Sequence, residues 1–101
     1  MTYIEDIALR IRGHVSSHEV PQGDVDGLFL IYAALVLAKG ESVTARDVHN
    51  AWAAWMVQQH SSHTSIRPYD ELPSDTRRED DPFVAALRAT ARELEISAKQ
   101  D

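Results

Sequence analysis

The sequence predicts an all-α fold: a compact orthogonal bundle of four main helices plus a short helical turn. Three observations predict it. Apolar residues recur three and four positions apart in the first, third and last segments. The segment Leu28 to Ala38 is apolar at every position, as in a helix at the centre of its domain. No stretch of useful length alternates apolar and polar residues, as a half-buried strand would.

The elements follow in order. Thr2 can cap a first helix running to about Val15, with Ile4, Ile7, Ala8, Ile11 and Val15 as its apolar stripe. Glu5 and Asp6 near its start and Arg10 and Arg12 near its end suit the helix dipole. Ser16, Ser17, Pro21 and Gly23 mark a loop. Asp24 is a suitable cap for the second helix, and Gly40 supplies its stop. Thr44 to Asp47 resembles a capping box with Asp in place of Glu or Gln. The third helix then runs to about Gln59, with Val48, Ala51, Trp52, Trp55 and Met56 on one face. His60 to Ser65 is polar and reads as a loose connector. Ser74 can cap a short helical turn, and Asp81 followed by Pro82 starts the last helix with proline in first position. Phe83, Val84, Leu87, Ala91 and Leu94 form its inner stripe. The second helix should be central, with the third and last packed on it.

The chain has 101 residues, enough for one domain from 1 to 101. Hydrophobic residues make up 44%, so a buried core is expected rather than disorder. The formal net charge of −6 opposes phosphate and makes nucleic acid a poor partner. There are no cysteines, which excludes disulfides, thiol catalysis and Cys-ligated zinc. The N-terminus lacks the continuous apolar core of a secretory signal, and the longest apolar run is too short to span a membrane. A cytoplasmic protein is expected.

The segment from Val48 to Leu94 carries a more specific pattern. A helix begins VHNAWA (Val48 to Ala53). After a connector comes Arg67-Pro68-Tyr69-Asp70-Glu71-Leu72, then a charged turn from Ser74 to Asp81 and a helix from Phe83. In order and spacing this resembles the ryanodine-receptor repeat family, small helical modules also found in bacterial and phage proteins. The chain as a whole resembles a group of small proteins of actinobacteria and their phages. The resemblance implies an all-helical interaction module with a place in phage-host or defence biology, where bacterial members have been proposed to bind nucleotide-derived ligands. Family members commonly carry a Gly-Trp and a further Gly after the first helix. Here Gln58 to Thr64 has neither, so any site those residues line in relatives is altered or absent.

Two readings of the chemistry stand side by side. His49, Trp52, Tyr69, Asp70, Arg67 and Arg77 make a ligand surface if a groove lies between His49/Trp52 and the Arg67–Leu72 turn. The two arginines would then meet a small anionic or nucleotide-like ligand. The bland alternative has Trp52 and Tyr69 pinning the turn, Pro68 presetting its backbone and Asp70 bonding nearby amides. Trp55 is either core or an exposed partner surface, and a homodimer is the simplest outcome of the second case.

Other constellations carry less. His14/His18 and His60/His63 have helical ligand spacing but lie in or beside polar loops with no third ligand, so no metal is called for. Asp70 and Glu71 are an unsupported acid–base pair. Glu79, Asp80 and Asp81 are read as caps for the last helix, with cation coordination or pairing with a partner's Arg the alternative. A helix-turn-helix over Glu41 to Met56 would offer only Arg46, His49, Asn50 and Gln58 to DNA. No catalytic motif and no cofactor motif is present. The expectation is a non-enzymatic ligand-binding or interaction module, the alternative being a protein-partner adaptor or homo-oligomer without a small-molecule site.

Overall fold

A computed structural model describes residues 2–100, with side chains through Glu95. The fold is all-α, and no strand occurs among the described residues. The helices are α1 (Tyr3–Gly13), α2 (Val25–Lys39), α3 (Ala45–Gln59), the short α4 (Ser74–Arg78) and α5 (Asp81–Gln100). Single 3-10 turns at Ser17–Glu19, Gly40–Ser42 and Tyr69–Glu71 fill the connections. Four main helices and one short one agree with the periodicity.

Helix starts are set by local chemistry, in two cases as the sequence suggests. Thr2 and Glu5 form a reciprocal capping box, and so do Thr44 and Asp47. Asp suffices at the second site because its carboxylate reaches the Thr44 amide at 3.0 Å. The other cap expectations are corrected. The Asp24 side chain makes no capping hydrogen bond. Ser74 is the first residue of α4, and the cap position is taken by Pro73. At α5 the carbonyl of Asp80 accepts from the amides of Phe83 and Val84, each at 3.0 Å, so the helix begins one residue earlier than the Asp-Pro signal implies.

α2 sits at the centre, against α1, α3 and α5. Its buried side chains are Leu28, Phe29, Tyr32, Ala33 and Val36. They meet Ile7, Ile11, Val48, Phe83 and Leu87 in one hydrophobic cluster. Leu30 and Leu37 remain exposed on its outer face. α5 also grips the corner between α2 and α3. Arg88 donates to the Val43 carbonyl at 2.9 Å, and Arg92 pairs with Glu41 at 2.8 Å. Within α5 the fully buried Thr90 hydroxyl is satisfied by the Ala86 carbonyl one turn back.

Trp55 resolves the choice left open for it. It is buried at 2% exposure and belongs to the core, so it drops out of the surface suggested by sequence. Its indole donates to the Asp24 carbonyl at 2.8 Å and ties α3 to the start of α2. The ring lies against Gly23, whose φ of +114° only glycine adopts without strain. A dimer built on an exposed Trp55 is therefore excluded.

Trp55→Phe should remove that tie, leave the Asp24 carbonyl without its partner and open a gap beside Gly23. We expect a loss of about 2 kcal/mol in urea-unfolding stability. A change under about 0.5 kcal/mol would show that the α2–α3 corner does not rest on this bond.

Candidate functional site

The connector after α3 is folded into hydrogen-bonded turns. The His60 amide bonds Met56, the His63 amide bonds His60, and the Ile66 amide bonds His63. The Ser65 amide also donates to Nδ1 of His63 at 3.1 Å. This places the His63 ring edge-on to Trp52, with centroids 5.1 Å apart. Trp52 in turn stacks on His49 at 5.7 Å and 27°.

His49 is the hinge of the arrangement. It is 3% exposed, and its Nε2 lies 2.6 Å from the Arg67 carbonyl. A carbonyl only accepts, so Nε2 carries the proton of this bond. The bond zips the Arg67–Leu72 turn directly onto α3. The contact runs along the line where the sequence suggested a groove.

The turn residues are committed to one another. Tyr69 lies under two guanidinium groups, Arg46 at 5.4 Å and Arg77 at 5.3 Å from its ring centre. Arg46 grips Asp70 through two hydrogen bonds of 3.1 and 2.7 Å. Those bonds hold the Asp70 carboxyl below its ordinary range. Arg77 donates to the carbonyls of Leu72 and Asp70 at 3.0 and 2.7 Å. Nε of Arg67 donates to the Thr64 carbonyl at 2.9 Å. The two arginines expected to meet an anion are thus tied to backbone oxygens.

The cavity lies on the other side of His49 and Trp52. It encloses about 420 Å³ and opens to solvent between α2, α3, the connector and the α4–α5 corner. That volume falls within the range of small-molecule sites. His49, Trp52 and His63 form one wall, with Ser65 beside them. Tyr32 and Phe83 form the inner wall, their rings 5.6 Å apart. Thr76, Glu79, Asp80 and Pro82 come from the α4–α5 corner, and Glu19 and Pro21 from the α1–α2 loop. Of the residues singled out from sequence, His49 and Trp52 line the cavity. Arg67, Tyr69, Asp70, Arg77 and Trp55 are not among its lining residues.

Asp80 is the residue that sequence reasoning misread. Its Oδ2 is sealed from solvent and has no hydrogen-bond partner among the described residues. Burial pushes its carboxyl up to about 6, helped by the neighbouring Glu79 and Asp81 and opposed by His49. Burial also pushes up the Tyr32 phenol, and the Asp80 charge adds to that. Tyr32 is 1% exposed, and its hydroxyl makes no hydrogen bond to a described residue. The available signal was periodicity. Asp80 stands one turn before Phe83 on the inner stripe of α5, where a carboxylate is out of place. Tyr32 was hidden because it sits inside an apolar run.

A family model described as a domain of unknown function, DUF7701, matches residues 2–92. The chain belongs to the DUF7701 family. No curated protein and no solved structure matches it. The DUF7701 match covers all five cavity-forming segments, including the N-terminal loop that brings Glu19 and Pro21 to the rim. Of the histidine pairs read from sequence, His14 pairs with Glu93 at 2.9 Å, and His63 turns to Trp52. Among the described residues no three His, Cys, Asp or Glu converge on a metal position. None of their helices is long and apolar enough to cross a membrane.

Asp80→Asn tests the electrostatics. A carboxyl raised in the fold contributes stability below its unfolded value near 4, and that contribution is lost as pH rises through about 6. At pH 7.5 the Asn variant should therefore be more stable than the parent by on the order of 1 kcal/mol, after discounting for solvent screening. The difference should vanish below pH 4. Equal stability at both pH values, measured by urea unfolding, would contradict the assigned burial.

Proposed function

We propose that this chain is a non-enzymatic ligand-binding module whose site is the cavity between Trp52, Tyr32 and the start of α5. The observation that carries the reading is an aromatic-walled cleft lined in part by Asp80, a residue with a buried carboxylate oxygen that has no partner. A buried acceptor left unmet costs stability, and a core built only for packing would replace it with an apolar residue. The surrounding residues support the same reading. The His49–Arg67 bond, the Tyr69 sandwich and the Arg77 bonds hold the wall in place without entering the space. A preorganised wall lowers the ordering cost of binding.

A second reading, protein-partner adaptor or self-association, is favoured by one observation. Leu9 and Leu30 stay exposed beside a shallow cleft between α1 and α2, and Leu37 continues the apolar face along α2.

A small-fragment screen by thermal shift and two-dimensional NMR separates the two. At ten times its dissociation constant a cavity ligand should add about 1.4 kcal/mol of stability, or several degrees in Tm. The same compounds should move the Trp52 indole and His49 signals, and Trp52→Ala should abolish both responses. Shifts confined to Leu9, Leu30 and Leu37 that grow with protein concentration would favour self-association instead.

A further inference from the structure

The chemistry of the cavity walls specifies what it should hold, given that it is a ligand site as proposed above. Asp80, Glu79 and Glu19 face or rim the space, and no Lys or Arg is among the residues lining it. The nearest arginines are bonded elsewhere: Arg77 to carbonyls, Arg46 to Asp70 and Arg67 to Thr64. The two imidazoles on the wall are also partly committed, His49 through Nε2 to Arg67 and His63 through Nδ1 to Ser65. Oδ2 of Asp80 has no partner and, when ionised, takes only a donor. The Tyr32 hydroxyl, without a partner among the described residues, can accept an N–H as well as donate. Trp52, Tyr32 and Phe83 offer ring surface whose negative π-faces attract a cation.

We propose that the cavity binds an organic cation that carries N–H donors on a planar body, of the amidinium or guanidinium class. Such a group donates N–H bonds to a carboxylate and is weakly hydrated, so it enters an aromatic cleft more readily than a compact ammonium ion. The proposal reverses the sign expected from sequence, where Arg67 and Arg77 pointed to an anion. Those cations stiffen the outside of the wall, and the charge facing the ligand is the carboxylates'.

Three probes of one shape and different charge test it: benzamidinium, neutral benzamide and benzoate, titrated into the full chain at pH 7.5 and followed through the Trp52 indole, His49 and Phe83 NMR signals. Benzamidinium should bind saturably and at least tenfold more tightly than benzamide, with no saturable binding of benzoate. Asp80→Asn, checked for native fold by its spectrum, should weaken benzamidinium at least tenfold. Arg10→Gln, which removes an exposed cation outside the cavity that pairs with Glu93, should leave it within about twofold. Benzamide or benzoate binding as well as benzamidinium, or Asp80→Asn binding unchanged, would overturn the charge assignment while leaving a ligand cavity in place. If none of the three moves those signals, the amidinium class is overturned. If the broader fragment screen is also silent there, the ligand-binding reading falls with it.

Discussion

Withdrawing the imidazole of His49 from water obliges its ring nitrogens to find partners inside the protein. Nε2 meets the Arg67 carbonyl at 2.6 Å, and this bond sets the position of the segment between α3 and α4. The segment contributes few large apolar side chains, so packing alone would hold it weakly. With Arg67 docked, Pro68 and the 3-10 turn at Tyr69–Glu71 follow in a fixed direction, and Leu72 is buried at 4% exposure. Arg77 then closes the loop by donating back to Leu72 and Asp70. The same imidazole stacks on Trp52, so the bond that seals the turn also orients the aromatic wall of the cavity.

This coupling explains why the sequence shows the fold more clearly than the site. Helices are local: their caps, stops and apolar spacing lie within a few residues, and Thr2, Thr44 and Gly40 behave as that chemistry requires. Asp80 was read as a cap by the same rule. Its carbonyl does serve the helix, while its side chain faces the cavity. The error arises because a helix-start acid has two uses, and only tertiary packing selects between them. Arg67, Tyr69 and Arg77 gave a similar false lead. Cations and an aromatic close together in sequence suggest a ligand surface, yet here they satisfy one another and the backbone. Trp52 and His49 were legible because a helical repeat places them one turn apart, whatever they touch.

Tyr32 and Trp55 show the limit from the other side. Both are large aromatics with a polar atom, on central helices, and both are almost fully buried. Trp55 spends its N–H on the Asp24 carbonyl, which makes it structural. Tyr32 meets the cavity beside an ionisable carboxylate. Burial does not distinguish them, since each is withdrawn from bulk water; the fate of the polar atom does.

That criterion, applied across the molecule, isolates one region. Arg88, Thr90 and His49 are drawn into the structure to different degrees, and each has a polar atom answered. The exposed ion pairs, such as Arg12 with Asp26, are of the kind that adds little to stability. Asp80 alone among the described residues has a sealed side-chain oxygen left unanswered, and it stands on a cavity with further aromatic and acidic groups. Its ionised form works against folding at neutral pH, because desolvation has raised its carboxyl to about 6. A fold that satisfies its polar groups with this regularity and departs from the rule beside a cleft has its least stable chemistry next to a space that a second molecule could fill. A cation entering there would supply the donor that the protein lacks and restore the carboxylate to its charged form, coupling ligand binding to the stability of the α4–α5 corner.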